Sequence, residues 1–319
     1  MFTWLKNRLQ RNGLTAYVTH ADCLQHNMGA GHPECPERLT AIRDQLMASQ
    51  IYDSLQEVEA PEATYEQLAR VHPPRYVEYL EACAPSVGTF RMDPDTAMSP
   101  GTLQAARRAA GAVVKAVELV AEDKAANAFC AVRPPGHHAE SDKAMGFCFF
   151  NNIAVGVTHA LTHYKFERVA VVDFDVHHGN GTEEILHDDP RVLMVSIFQH
   201  PFYPYCGDEP RGPNMHNVPL KAGSGGREFR EAVENVWLPL LHDFQPQMLF
   251  ISAGFDAHRE DDMGSLGLVE SDYEWVTRHL MQIADQYCAG RVVSVLEGGY
   301  DLSALGRSVA AHIRALSDG

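Results

Sequence analysis

From Thr102 to the C-terminus the chain alternates between helical and strand periodicity, and this alternation restricts its fold more than any other feature. TLQAARRAAGAVVKAVELVAED places Leu103, Ala106, Ala110, Val113, Val117 and Val120 at steps of three and four, the apolar stripe of an amphipathic helix. NAFCAV then reads as a short buried strand, NNIAVGVTHALTHY as a helix and RVAVVDFDV as a strand. The series continues with TEEILHDD (helix), RVLMVSI (strand), REFREAVENVWLPLLHDF (helix) and QMLFISAG (strand). SDYEWVTRHLMQIADQYC, RVVSVLEGG and LSALGRSVAAHIRALS close it as helix, strand, helix. Such repetition predicts an α/β fold with a parallel sheet covered by helices on both faces.

The first hundred residues are less regular. TAYVTH reads as a strand, PERLTAIRDQLMAS as a helix opened by Pro36, and EQLARVHPPRYVEYLEAC as a helix interrupted at Pro73 and Pro74. MDPDTAMSPG reads as an ordinary loop. The expectation is one domain over residues 1–319, with residues 1–15 set apart as a loosely attached N-terminal segment.

Composition removes several functional classes. A formal net charge of −16 argues against a phosphate-backbone partner, because nonspecific nucleic-acid binding rests on clustered Lys and Arg. It suits a cationic substrate, although acidity also serves solubility alone. Seven cysteines, an odd number with no C-x-x-C pair, argue against a disulfide framework or a cysteine-ligated zinc cluster. The longest mostly apolar stretch, AAGAVVKAVELVA, carries Lys115 and Glu118 and is too short and too charged to span a bilayer. The N-terminus has no apolar secretion segment, so the expected location is cytoplasmic.

In open parallel α/β sheets, ligands bind outside the carboxyl ends of the strands. Here AFCAV ends in RPPGHHAE, VAVVDFDV in HHGNG, VLMVSI in FQHPFYP, MLFISAG in FDAHREDD and VVSVLEGG in Tyr300. Five strand ends thus deliver His137, His138, Asp173, Asp175, His177, Phe202, Tyr203, Asp256 and Tyr300 to one edge of the sheet.

Asp175 and His177 are two apart on an extended chain, so their side chains point the same way, and Asp256 after another strand can supply a third ligand. One imidazole and two carboxylates make an N/O site for a divalent transition metal, and three protein ligands leave room for water and substrate. A D-x-H at a strand end is, by itself, a common hydrogen-bonded turn; joined to GHH, GFDAH and EGGY it reads as a catalytic metal centre. His137 and His138 become acid–base candidates beside such a metal. Tyr300, after two glycines that permit tight turning, can donate a hydrogen bond to an oxygen that becomes negative in the transition state.

RPPGHHA, VDFDVHHGNGTEE, SAGFDAH and LEGGY, in this order, resemble the zinc-dependent histone deacetylase superfamily, which includes class II deacetylases, acetoin-utilisation-type proteins and acetylpolyamine amidohydrolases. The resemblance runs from GHPECPERL at residue 31 to the end. It implies an arginase/deacetylase-like fold with a central eight-stranded parallel sheet. It further implies zinc on Asp175, His177 and Asp256, with iron(II) as the alternative metal in cells, and His137, His138 and Tyr300 as catalytic groups. Asp173 is expected to hold His137, while the partner of His138 falls at Asn180. The family also implies a structural potassium ion on Asp173, Asp175, His177 and the backbone around Ser196.

The implied reaction is hydrolysis of an acylated lysine side chain in proteins or peptides. In it, His138 acts as general base, Tyr300 polarises the carbonyl, and His137 stays charged. Gly146, Phe147 and Tyr203 resemble the walls of a narrow acyl-lysine channel, and Asp95 matches an acidic residue at its entrance. Polyamine-specific relatives carry Glu where this chain has Met263, which argues against that specificity; the acidic run Glu260–Asp262 reads as a solvated loop. The alternative substrate is an acetylpolyamine or another small acylamine. Two further classes are an arginase-like ureohydrolase, which GHH and EGGY fit poorly, and a catalytically dead binding module, which the intact motifs oppose.

Overall fold

The computed structural model describes residues 14–318. Ten strands run in chain order: β1 Thr15–Thr19, β2 Gln56–Glu59, β3 Phe90–Arg91, β4 Ala97–Met98, β5 Asn127–Cys130, β6 Val169–Asp173, β7 Val192–Gln199, β8 Met215–Leu220, β9 Met248–Ala253 and β10 Val292–Leu296. Eight of them form one sheet in the order β2-β1-β5-β10-β9-β6-β7-β8, parallel throughout. The arginase/deacetylase-like expectation of eight parallel strands is met. β3 and β4 pair as a small antiparallel ribbon, so MDPDTAMSPG is not wholly loop.

Central strands such as VAVVD and MLFISA are buried along their whole length, as strands covered on both faces must be. The helix Thr102–Ala121 packs on β1, β5 and β10 and against the helix Asn152–Thr162. The helix Leu302–Asp318 packs on β1 and β5 and against the helices Glu37–Ala48 and Glu270–Tyr287. His312, buried in that layer, puts Nε2 2.8 Å from Ser294 Oγ on β10 and Nδ1 2.6 Å from Thr277 Oγ1. Burial lowers it to about 3, so this imidazole is a neutral cross-link between sheet and helices.

REFREAVENVWLPLLHDF is continuous helix, with a π-helical turn over Val233–Trp237. The proline-interrupted stretch is two helices, Tyr65–Ala69 and Pro74–Cys83. The proposed N-terminal segment lies, for residues 1–13, outside the described residues. Thr15, the last residue of that segment, belongs to β1, where it pairs with Asn127. No helix among the described residues is long and apolar enough to cross a membrane.

The position of the site follows from the strand order. β10 and β9 insert between β5 and β6, which makes β5-β10-β9-β6-β7 consecutive. These are the five strands whose ends carry the motifs.

Candidate active site

β6 ends at Asp173, and the chain then bends over Asp175, Val176 and His177 instead of staying extended as the sequence suggested; the bends still bring the Asp175 and His177 side chains together. Each turn is tied by the preceding carboxylate: Asp173 Oδ1 accepts the Asp175 N–H at 3.1 Å, and Asp175 Oδ1 accepts the His177 N–H at 2.9 Å. Asp256, beyond β9, accepts the Val176 N–H at 2.9 Å through Oδ1. These bonds bring His177 Nδ1 to 3.1 Å from both Asp175 Oδ1 and Asp256 Oδ2. The three side chains are buried, with candidate ligand atoms within 4.8 Å of one another.

This donor set fits a divalent metal. Burial, then the Asp175 charge, push Asp256 up to about 7, a repulsion that a bound cation relieves. Glycines make the cradle: a Cβ on Gly298 would lie 2.0 Å from Asp256 Oδ2 and 2.7 Å from Asp175 Oδ2, and one on Gly254 would lie 2.0 Å from Asp175 Oδ2. The Gly298 N–H instead donates to Asp175 Oδ2 at 2.8 Å. Ser196, in register with Asp173 on the adjacent β7, donates its hydroxyl to Asn217 at 3.0 Å.

The histidine pair approaches from β5, with ring centroids 4.1 Å apart. His137 Nδ1 lies 3.0 Å from Asp173 Oδ2, and its Nε2 lies 3.8 Å from Asp175 Oδ2. Burial opposes its charge, but the Asp175 and Asp173 carboxylates outweigh burial and raise it to about 10. His138 Nδ1 lies 2.8 Å from Asn180 Oδ1. Asn180 Nδ2 donates to Glu140 at 2.9 Å, so its carbonyl oxygen is the atom facing His138. His138 Nδ1 therefore carries the proton, and Nε2 is the basic nitrogen. Burial, then the charges of His137 and His177, hold His138 well below the usual histidine value. His178 is bound elsewhere, with Nε2 2.7 Å from Glu183.

Gly146 adopts φ +56, and a Cβ there would lie 2.4 Å from the His138 ring, so the chain can pass that close only as glycine. Phe147, itself at φ +68, donates its N–H to Thr96 Oγ1 at 3.0 Å and turns its ring edge to Tyr300 at 5.9 Å. Tyr203 stands edge-on to His138 at 5.3 Å, and Phe202 stacks on His177 at 5.4 Å. Aromatic rings thus pack beside His138, His177 and Tyr300. Burial, then the Asp256 charge, push the Tyr300 phenol well above its ordinary value, which keeps it a donor.

Asp95 sits beside Asp93; burial and this neighbour raise it to about 6, and its charge in turn contributes to the raised phenol of Tyr203. Met263 is half-buried and donates its backbone N–H to Asp261 Oδ1 at 3.0 Å.

Several buried residues make contacts that their sequence motifs did not indicate. Glu297 opens the EGGY motif, and its Oε2 accepts the N–H groups of Gly136 (2.7 Å) and His137 (3.1 Å), fixing the histidine loop. Glu34 pairs with Arg133 through Oε2 at 2.7 Å and with Arg38 through Oε1 at 3.1 Å. Arg38 reaches on to the Tyr300 loop, donating Nε to Gly299 O at 2.6 Å and Nη2 to Glu297 O at 2.5 Å. GHPECPERL and RPPG hold these residues in plain view with no local sign of such contacts. The solvated reading of Glu260–Asp262 fails at its centre: Glu260 and Asp262 are exposed, but Asp261 is 5% exposed and binds backbone N–H groups of the Tyr300 loop.

Comparison with known proteins agrees with this geometry. The histone deacetylase domain matches residues 32–316. The chain is 39% identical to a histone deacetylase-like amidohydrolase of Pseudomonas aeruginosa, over 87% of this chain and 74% of that protein. It is 37% identical to a probable deacetylase of Archaeoglobus fulgidus, over 91% of this chain and 82% of the other. Its fold superposes on the crystal structure of the HDA15 HD domain with a TM-score of 0.88 at 33% identity, covering 96% of this chain and 90% of that one. On fold, site geometry and similarity together, the chain belongs to the histone deacetylase family of hydrolases acting on amides.

Proposed function

We propose that this chain removes acetyl and related acyl groups from the side-chain amine of lysine in proteins or peptides. The observation that carries the reading is the unequal histidine pair beside the His177/Asp175/Asp256 group: His137 is held by a carboxylate and His138 by a neutral amide, 3.0 and 2.8 Å away. The family is zinc-dependent, and a zinc ion held by those three residues supplies Lewis-acid polarisation of the amide carbonyl and a more acidic water. Iron(II) suits the same N/O donors, and a potassium ion on Asp173, Asp175, His177 and the Ser196 backbone belongs to the same proposal.

Neutral His138, with its proton on Nδ1, takes a proton from the attacking water at Nε2 and returns it to the leaving amine. Charged His137 stabilises the negative charge that develops on the former carbonyl oxygen. The Tyr300 phenol donates a hydrogen bond to that oxygen. Phe147 and Tyr203 pack along the aliphatic stem of the lysine, and Asp95 accepts hydrogen bonds from the substrate at the mouth. Met263 offers no charge to a distal ammonium, which favours acyl-lysine over acetylpolyamine.

The test is kcat/KM of zinc-reconstituted protein on an acetyl-lysine peptide and on acetylputrescine, with Tyr300→Phe as control. Faster peptide turnover that collapses in the variant is the expected result. A preference for acetylputrescine overturns the lysine assignment and keeps the amidohydrolase one; activity on neither overturns both.

A further inference from the structure

We propose that Asp261 is the positioning residue of Tyr300, fixing the backbone that carries the phenol; this rests on the amidohydrolase reading above. Asp261 Oδ2 accepts the N–H of Tyr300 at 2.5 Å and that of Asp301 at 2.9 Å, while Oδ1 accepts the N–H of Met263 at 3.0 Å. Its own N–H donates to the His258 carbonyl at 2.9 Å. One buried carboxylate thus joins the loop that follows Asp256 to the loop that presents Tyr300.

The chain needs such a clamp at this point. Gly298 and Gly299 precede Tyr300, and Gly299 sits at φ +119, a region open to glycine with little preference of its own. The direction in which the chain leaves that turn is set by what holds the next N–H groups. Hydrogen bonds to an ionised carboxylate are about twice as strong as neutral ones. On the opposite side, Arg38 binds the Gly299 and Glu297 carbonyls and lies 5.0 Å from the centre of the Tyr300 ring. An anion therefore holds the donors of the loop and a cation holds its acceptors. Because the hydroxyl is carried at the far end of a rigid ring, a small rotation of the backbone is magnified where the hydrogen bond to substrate is made.

The experiment is a double-mutant cycle between Asp261→Asn and Tyr300→Phe. Turnover is measured on a trifluoroacetyl-lysine peptide, whose more electrophilic carbonyl keeps Tyr300→Phe measurable, together with zinc stoichiometry and thermal melting. Asp261→Asn is expected to lower kcat on the order of 10- to 100-fold with KM and zinc content unchanged, and to cause no further loss in the Tyr300→Phe background. Unchanged kcat, or an equal loss in both backgrounds, overturns the proposal. Asp261→Ser, which keeps one acceptor oxygen, takes the place of Asp261→Asn if that variant fails to fold, and loss of folding or zinc in both overturns it as well. A wild type inactive on the peptide removes the amidohydrolase reading and this proposal together, an outcome distinct from an active wild type with an additive cycle.

Discussion

Asn180 turns its carbonyl oxygen to His138 Nδ1 at 2.8 Å, because its amide nitrogen is engaged by Glu140. A neutral acceptor orients the imidazole without favouring its charged form, whereas Asp173 holds the adjacent His137 charged. The division of labour between two adjacent histidines thus lies in their partners.

Asn180→Asp tests this directly. A carboxylate at Oδ1 raises His138, so the protonated, non-basic form persists to higher pH. The acid limb of the kcat/KM profile is expected to move up by about one pH unit or more. An unmoved acid limb would mean that His138 is not the group titrating there.

Asp173→Asn removes one of the carboxylates that keep His137 charged, and with it part of the repulsion that lowers His138. We expect a lower kcat at the plateau and an acid limb displaced to higher pH. A variant matching wild type in both rate and profile contradicts the electrostatic role of His137.

Gly298→Ala puts a methyl group where no space exists, 2.0 Å from Asp256 Oδ2. The two carboxylates must shift, and zinc affinity should fall on the order of tenfold or more, read by competition with a chelator. Unaltered affinity would show that the cradle yields.

What the sequence made legible was whatever sits at a strand end. A parallel sheet gathers the carboxyl ends of its strands, so the strand pattern alone is enough to bring DFDVHH, GHH, GFDAH and EGGY together. Edge strands escaped: β2 reads QEVE, with Val58 its one apolar residue, and β8 reads MHNVPL, an apolar run broken by His216 and Asn217 and by Pro219, which is tolerated because β8 is an edge. Asp261 was hidden for another reason. Between two exposed acids it has the local signature of a solvated loop, and only the fold brings the N–H groups of Tyr300 and Asp301 to it across about forty residues of chain. Glu297 lies within a legible motif yet shows no role there, since its partners are backbone groups at Gly136 and His137.

Glu34 is the buried anion between Arg133, Arg38 and His26, whose Nε2 lies 3.3 Å away. Burial works against its charge, but Arg133, then His26 and Arg38, hold it well below the usual value of 4.5. A depressed folded-state value stabilises the protein above the unfolded-state pKa, and that contribution is lost as pH falls through the folded one. Glu34→Gln leaves buried guanidinium groups without their anion and should cost about 3–5 kcal/mol at neutral pH. In denaturant titrations the gap between wild type and variant should close as the pH is lowered below 4.5. A gap that widens instead would reverse the sign of the linkage.

The most direct test of the unequal pair is 15N NMR of histidine-labelled, zinc-loaded protein near neutral pH, with His137→Ala and His138→Ala to assign the signals. We predict a doubly protonated His137 and a neutral His138 whose Nδ1 bears the proton and whose Nε2 does not. Two neutral rings, or a charged His138, would contradict it.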